Sequence, residues 1–498
     1  MAAAESYKHP MKKPIFTLLF LFFVSSVGAQ RLLSLSEAIE IAKRESYASK
    51  AAALSFMSSY WSYRQYRAGW LPSLALSGTL MNYDRSIVEA RDYETGRVSY
   101  VDNNSLYNSV RVSVNQNLPW ADGTLSLRSD LSRFDQFDYD QTTYNSTPLL
   151  LYYNQPLRRY SSMQWNKRIQ PLQFERAKRN YLENLQNITI NVTGYYFAAL
   201  SAQSNLKQSL AKHKDLGTLY AKTSKKMELG LVTKGELLQL ELSMLNAEMS
   251  ISNNRLTLDN ALFRLFSYLN IADYKNIELV APTTLPQITI SSDEVVARSY
   301  KNSAHTLARE LNLLAARQNL EWAKANTGLQ VSLQAQIGLT QSAGSFKGAY
   351  NKLKDNEIIG ITFSLPIYDW GLGGGKKRVA KAQLELAGIE ARQDDIEFER
   401  EIRTTVMYFN NQAEQCRISR RALEVAEETY LMAYKRYENG AMTVTDFNTA
   451  NNELESAQAQ YLSQLNTFWA YYYTIQRLTL YDYIRGCDID CDFDKIVK

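Results

Sequence analysis

The sequence predicts a mainly α-helical protein with a membrane β-barrel wall, built as two tandem repeats of a helix, a strand pair and a long helical hairpin. Three observations predict it. Mostly apolar residues recur every three or four positions from Ile402 to Tyr437, within a predicted helix that begins at residue 376. Short stretches that alternate apolar with small or polar residues lie between such helices. The second half of the chain also repeats the plan of the first.

The first 29 residues have the pattern of a secretory signal peptide. A basic pair, Lys12-Lys13, precedes a short apolar run, and small residues at 27–29 supply a cleavage site. The run is too short to cross a bilayer. Met11 is the expected start of translation. No later run reaches the ~18 apolar residues of a membrane helix, so we expect an exported chain without transmembrane helices.

Composition excludes several classes of protein. The 498 residues are 45% hydrophobic and 21% charged, which is typical of neither a disordered chain nor a helical membrane protein. The formal charge of +5 falls to +3 once residues 1–29, with three Lys and one Glu, are removed. A surplus this small and evenly spread does not indicate nucleic acid as a partner.

The second long hairpin, 376–480, is two helices joined by a turn at 438–443. Its first helix of 62 residues would extend ~93 Å if unbroken. The spacing predicts a helix packed along a partner helix. The predicted seam consists of Ile402, Val406, Phe409, Ala413, Cys416, Arg420, Leu423, Glu427, Tyr430, Tyr434 and Tyr437.

An internal repeat sets the architecture. The segments 36–42 and 293–299 are similar at an offset of 257 residues. Later matches, including 230–233 with 440–443, have an offset of 210. The first copy therefore carries 47 extra residues, between about Leu80 and Tyr153.

Strands are predicted where apolar residues alternate with small or polar ones. Such runs of ~10 residues suit a lipid-facing barrel wall, although a soluble two-layer sheet would show the same alternation. Helices enter and leave each strand region on one side, so each copy contributes an even number of strands. Four to six strands cannot enclose a lumen, and open edges are not tolerated in lipid, so several chains must share one barrel.

The domain boundaries follow from the repeat. The predicted units are the signal peptide 1–29, a first repeat 30–270 with strands in 72–155 and a hairpin at 165–269, a linker 271–290, a second repeat 291–484 with strands in 329–365 and a hairpin at 376–480, and a tail 485–498.

Ordered short motifs resemble the TolC-like outer membrane efflux protein family. They are Leu35-Ser-Glu-Ala-Ile39, Trp70-Leu-Pro-Ser-Leu74, Leu365-Pro-Ile-Tyr-Asp-Trp-Gly371, and the two turns that begin at Gly230 and Gly440. Each motif is weak alone, but their order within a duplicated chain is distinctive. The resemblance covers roughly residues 33–484.

The resemblance implies a homotrimer without a cofactor. Its shared β-barrel would lie in the outer membrane of a Gram-negative bacterium, with a long α-helical barrel in the periplasm. Cargo would arrive from an inner-membrane pump or ABC transporter through a periplasmic adaptor protein. The family usually contributes four strands per chain. The 47-residue insertion is a departure from the family pattern. The alternatives are an extra strand pair in the barrel and an external or lumenal hairpin.

The resemblance also assigns a role to the two turns, which would dock the adaptor. These positions are Gly230, Leu231, Val232, Thr233, Gly440, Ala441, Met442 and Thr443. The alternative is that they only form turns. Glycine suits a tight turn with positive φ.

Acidic residues near these turns are the candidates for a gate at the periplasmic mouth. Asp446 matches the first acidic position of the family, and Glu236 occupies the same position in the other copy. Thr449 and Met442 stand where the family has a second acidic and a basic residue. Three copies of Asp446 around one axis would favour cations. Alternatively, Asp446 only stabilises the first turn of its helix.

The chemistry of catalysis is not evident in the sequence. The segment 371–377 superficially suggests a phosphate-binding loop, but Trp370 and Lys377 violate the motif. No catalytic triad or metal-ligand spacing stands out. Cys487 and Cys491 allow a local disulfide, a metal site or two free thiols.

We therefore expect a passive export duct. The alternative is a soluble periplasmic coiled-coil scaffold or adaptor, and an enzyme comes a distant third.

Overall fold

The computed structural model describes residues 31–91, 94–118, 120–158, 160–272, 274, 277–282 and 285–497. The predicted signal peptide and Met11 lie outside these residues. The first copy contains β1 (Arg31–Leu33), α1 (Leu35–Glu45), α2 (Tyr47–Ala68), β2 (Ser73–Arg91), β3 (Val98–Leu118), β4 (Gly123–Gln136), β5 (Gln141–Arg158), α3 (Ser162–Glu228) and α4 (Lys234–Leu269).

A short connecting strand leads to the second copy and the C-terminal tail. The remaining elements are β6 (Ile277–Leu279), α5 (Ser292–Asn302), α6 (Ala304–Asn326), β7 (Gln330–Ala343), α7 (Phe346–Ala349), β8 (Lys354–Ser364), α8 (Leu372–Glu438), α9 (Val444–Thr479), β9 (Tyr481–Asp482), β10 (Cys487–Asp488) and α10 (Phe493–Val497).

The two helical hairpins have the same dimensions. Helices α3 and α8 each have 67 residues, and α4 and α9 each have 36. At 1.5 Å per residue the longer helices extend about 100 Å. Each pair is joined by a turn of five residues, 229–233 in copy one and 439–443 in copy two. The duplication predicted from sequence is therefore a duplication of the hairpin.

The predicted seam of α8 is buried only in part. Ile402, Val406, Phe409 and Cys416 are fully buried, but Arg420 and Glu427 are exposed. Their inclusion in the seam was wrong. A straight helix has 3.6 residues per turn and drifts away from a 3.5-residue repeat. Arg420 instead lies beside Glu424 on the surface, with 3.5 Å between Nε and Oε1.

The main core lies between the hairpins and the short helices, well away from the turns. Phe409, Phe468 and Tyr472 form one aromatic group, with ring centroids of Phe409 and Phe468 5.1 Å apart. Tyr196 and Phe266 of the first copy belong to the same cluster. Both copies therefore share this main core, which holds the hairpins side by side.

Two buried tyrosines fix the chain segments that cross this core. The Tyr196 hydroxyl lies 2.7 Å from the carbonyl oxygens of both Leu33 and Val280, and thereby ties α3 to the connecting strands. Burial raises the pKa of Tyr196 to about 12. The Tyr472 hydroxyl donates to Asp482 Oδ1 at 2.6 Å and accepts from Gln476 Nε2 at 2.9 Å.

A six-stranded antiparallel sheet, called the wall below, lies at the opposite end of the long helices from the turns. Its order is β2-β3-β4-β5-β7-β8, so neighbours in the sheet follow one another along the chain. Helices precede β2 and β7 and follow β5 and β8. The first copy contributes four strands and the second contributes two, an even number from each, as predicted.

One face of the wall is apolar and strongly exposed in the single chain. Leu74 is 75% exposed and Ile359 is 79% exposed. The opposite face carries polar groups, among them the ion pair of Arg111 and Asp130. The described residues contain no helix with an apolar stretch sufficient to span a bilayer.

We predict that Tyr472→Phe lowers the stability of the folded protein by about 1–3 kcal/mol, because the buried amide of Gln476 then lacks its acceptor. The thermal midpoint of the detergent-solubilised protein measures the loss. Tyr471→Phe is the matched control, since no hydrogen bond is seen for that hydroxyl among the described residues. Equal midpoints for the two variants would contradict the role given to Tyr472.

Candidate functional site

The candidate site is the pair of turns at the far end of the hairpins, called here tip one (229–233) and tip two (439–443). Both turns use the same glycine cap. Gly230 has φ of +72° and Gly440 has φ of +74°. The amide that follows each glycine bonds five residues back, from Leu231 to Lys226 and from Ala441 to Arg436, at 2.9 Å in both. This is a Schellman motif, which needs a residue in the left-handed region.

A threonine begins the next helix in each tip. Thr233 Oγ1 accepts from the backbone N–H of Glu236 at 3.3 Å, and Thr443 Oγ1 accepts from that of Asp446 at 3.2 Å. The Thr443 hydroxyl also donates to Asp446 Oδ2 at 2.8 Å. Asp446 and Glu236 are both exposed. Thr443 is therefore the N-cap of α9, and its hydroxyl holds one carboxylate oxygen of Asp446 while the other oxygen is free of that bond.

The tips expose different surfaces. Tip one presents Leu229 and Leu231, whose side chains are 74% and 70% exposed. In tip two Ala441 is exposed, while Met442 packs against the cluster beneath it. Val232 is half-buried. The apolar surface available to a partner is therefore concentrated on tip one.

An aromatic cluster lies directly behind both tips. The Phe447 ring contacts Tyr430 and Tyr437 at centroid distances of 5.7 and 5.9 Å. Leu219 and Leu240 of the first copy complete the packing, and both are almost fully buried. The two tips therefore form one packed unit, although each belongs to a different copy.

Polar bridges between the hairpins reinforce this unit. Lys222 on α3 forms an ion pair with Glu438 at the end of α8, and Lys226 Nζ donates to the Glu438 carbonyl at 2.7 Å. The hydrogen bond from Lys222 lowers the pKa of the Glu438 carboxyl. It also raises the pKa of the Lys222 amine. Gln239 Nε2 on α4 donates to Thr445 Oγ1 on α9 at 3.1 Å.

A further bridge lies two helical turns behind tip two. The Tyr430 hydroxyl donates to Asp215 Oδ2 at 2.5 Å, which joins α8 to α3. Burial, and then this hydrogen bond, raises the pKa of Tyr430 well above its ordinary value. Sequence analysis missed these bridges. The repeat offset could have revealed the Lys222–Glu438 pair, because it places the last turns of α3 and α8 at the same level.

The positions where the chain departs from the family pattern serve local structure. The Thr449 hydroxyl donates to the Thr445 carbonyl within α9 at 3.1 Å. Met442 fills space against the aromatic cluster. In these roles neither side chain contributes charge at the mouth.

The structure also explains two other candidate sites from the sequence, the glycine-rich segment 371–377 and the pair of C-terminal cysteines. Asp369 Oδ1 and Oδ2 accept from the backbone N–H groups of Gly371 and Gly373, so a carboxylate of the chain itself caps the N-terminus of α8. Cys487 and Cys491 are free thiols, and the suggested local disulfide is not formed. Among the described residues no group of three or more His, Cys, Asp or Glu side chains could hold a metal ion.

Comparisons with known proteins agree with this architecture. The chain is similar in structure to the CmeC outer membrane channel of Campylobacter jejuni, with a TM-score of 0.65, 16% identity, and 93% of this chain and 88% of that chain covered. It is also similar to the outer membrane protein VceC of Vibrio cholerae, with a TM-score of 0.62, 15% identity, and coverage of 92% and 97%.

A third similar structure is the open state of the MtrE outer membrane channel of Neisseria gonorrhoeae, with a TM-score of 0.59, 15% identity, and coverage of 92% and 91%. No curated protein matches the sequence. The family model described as outer membrane efflux protein matches residues 38–270 and 298–476. The chain belongs to the outer membrane efflux protein family.

Proposed function

We propose that three copies of this chain form the exit duct of a tripartite efflux or type I secretion system. Small toxic molecules or polypeptides pass through it across the periplasm and the outer membrane of a Gram-negative cell. The duct is passive and carries out no covalent chemistry. An inner-membrane pump or ABC transporter supplies the energy, and a periplasmic adaptor protein joins that pump to the tips.

The observation that carries this proposal is the pairing of two 67-residue helices with a sheet that is apolar on one face. Helices of about 100 Å are far longer than the core of an ordinary globular domain requires. Their buried residues lie on narrow stripes, so their flanks are available to neighbouring helices. Sister chains would supply those neighbours and enclose the lumen.

The alternative is a soluble periplasmic scaffold or adaptor. The exposed leucines and isoleucines of the wall argue against it, because water would face a large continuous apolar surface. The outermost strands β2 and β8 would also be left to pair with unrelated chains. A trimeric barrel in lipid removes both problems.

We expect deletion of the gene to make cells sensitive to toxic compounds or to abolish secretion of a substrate. The purified protein should require detergent and should migrate differently on gels before and after heating, because a closed barrel resists unfolding in detergent. Normal tolerance with normal secretion would reject the duct. Detergent-independent solubility would favour the scaffold.

The proposed role of tip one is to dock the adaptor through its exposed leucines. We predict that Leu231→Ser reduces export about tenfold, because burial of one leucine at an interface is worth about 1.5–3 kcal/mol. Export is measured as the survival or secretion that the deletion strain lacks. Leu256→Ser, which removes another exposed leucine further along α4, is the control.

The amount of trimer in the outer membrane is measured for both leucine variants, so that loss of assembly is separated from loss of docking. Normal export by Leu231→Ser at a normal trimer level would remove Leu231 from the docking surface.

The proposed role of Asp446 and Glu236 is to make the periplasmic mouth selective for cations. We predict that Asp446→Asn combined with Glu236→Gln lowers the K⁺/Cl⁻ permeability ratio of the trimer about twofold. The reason is that the two substitutions remove six exposed negative charges from one narrow opening. The reversal potential in a KCl gradient across a planar bilayer measures this permeability ratio. Asp488→Asn, in the C-terminal tail, is the control. An unchanged ratio in the double variant would leave Asp446 with only its local bond to Thr443.

A further inference from the structure

The two hairpins of one chain meet where α3 packs along α9, a contact called here the within-chain junction. Polar side chains form its central part, between the main core and the tips. Lys212 Nζ donates to Glu455 Oε1 at 3.1 Å and to Asn452 Oδ1 at 3.4 Å. Four residues earlier on α3, Gln208 donates to Gln458. In this part the hairpins are therefore joined by hydrogen bonds and an ion pair.

The repeat gives each residue of this junction an equivalent on the other two helices. Because α3 and α8 have equal lengths, as do α4 and α9, one offset of 210 residues relates α3 to α8 and α4 to α9. The equivalents of Lys212, Gln208, Glu455 and Asn452 are Ala422, Ile418, Leu245 and Leu242. Gln458 is an exception, since its equivalent is Glu248. Most of the polar junction thus has an apolar counterpart.

These apolar counterparts belong to two exposed stripes with the spacing of a helix seam. The α4 stripe has spacings of four, three and four, and the α8 stripe has spacings of four, three and seven. Such spacing places side chains on one face that packs along a partner helix. All eight side chains are exposed in the single chain: Leu238, Leu242, Leu245 and Met249 on α4, and Ile418, Ala422, Val425 and Met432 on α8.

The order of the helices places the two stripes at opposite sides of the chain. α4 packs mainly on α3, α3 on α9, and α9 on α8. In a closed ring of chains, α8 of one chain therefore lies beside α4 of the next. The two helices run in opposite directions, as α3 and α9 do within the chain. The between-chain contact thus has the geometry of the within-chain junction.

We infer that a second copy of this chain covers each stripe, with the α8 stripe of one copy packed on the α4 stripe of the next. Apolar contacts there take the place of the polar contacts at the within-chain junction. An apolar stripe packed against α3 would bury Lys212 without its partner Glu455, which is costly. The difference between the two junctions therefore directs each hairpin to its correct neighbour. This inference rests on the proposed trimer.

The same relation holds in the half of the helices nearer the wall. There α3 packs against α6, and Gln318 Nε2 donates to the Tyr160 hydroxyl at 2.5 Å. The repeat offsets of 257 and 210 residues give Trp61 on α2 and Trp370, just before α8, as the equivalents. Both tryptophans are exposed in the single chain. The between-chain contact thus continues from the α4 stripe to α2 of the same neighbour.

The first test moves the ion pair of the within-chain junction to the between-chain contact. We expect Leu245→Glu to lower the amount of trimer in the outer membrane about tenfold, because a carboxylate buried among apolar side chains has no partner. Adding Ala422→Lys supplies that partner from the neighbouring chain, and we expect the double variant to regain most of the lost trimer. Its geometry copies that of Lys212 and Glu455.

Ser250→Glu is the matched control for the first test. Ser250 is exposed on α4 and lies about 100° around the helix from Met249, so we expect a normal amount of trimer. Normal assembly of Leu245→Glu would overturn the inference. A double variant that assembles no better than Leu245→Glu would also overturn it.

The second test locates the contact by cross-linking. Leu245→Cys and Ala422→Cys are combined in a chain that also carries Cys487→Ser and Cys491→Ser, and membranes are treated with a flexible bismaleimide. We expect denaturing gels to show three chains linked together. The control pair, Lys212→Cys with Glu455→Cys, spans the within-chain junction, so it should react and keep the mass of one chain.

Two failures of the cross-linking test have different meanings. A trimer whose Leu245→Cys and Ala422→Cys pair leaves every chain at the mass of one chain would overturn the proposed contact but keep the duct. A wild-type protein that forms no trimer would reject the proposed function itself.

Discussion

The outer edges of the wall are the constraint on which the rest of the assembly depends. In lipid no water can satisfy the backbone groups along β2 and β8, so both edges must find partners in sister chains. Once the walls join, the helices that emerge from them are brought alongside one another around the same axis. The narrow apolar stripes of α3 and α8 suit that arrangement, since each helix has neighbours on two sides.

The two copies share one plan, but they differ at both ends of the long helices. At the membrane end, copy one has gained β3 and β4. At the periplasmic end, tip one exposes Leu231, whereas tip two turns Met442 inward against Phe447. One copy therefore provides an external apolar surface and the other provides internal packing. The bridge from Lys222 to Glu438 joins α3 to α8, and the bond from Gln239 to Thr445 joins α4 to α9, the helix that carries Asp446.

The sequence predicted the repeated hairpins well, because a long seam and a constant offset of 210 residues are both local signals. It predicted the faces of the strands for the same reason. It did not predict whether the insertion joins the wall, since alternation identifies the face of a strand but not its neighbour. The Tyr430–Asp215 bond was missed because the partners are 215 residues apart. Arg420 and Glu427 were wrongly assigned to the buried seam. A straight helix has 3.6 residues per turn, so residues spaced at 3.5 gradually rotate away from the buried side.

The bond that Asp446 accepts from Thr443 and its proposed gating role are compatible on physical grounds. Its carboxylate accepts from Thr443 at 2.8 Å through one oxygen, and this bond fixes the side chain at the first turn of α9. An exposed charge held by a local bond keeps its position relative to the tip. In the proposed trimer, three such charges around one axis would form a fixed ring, whereas unrestrained side chains would spread their charge over a larger volume. The bond from Thr443 would thus make the proposed ring more effective, and the uncharged Thr449 would leave that ring single.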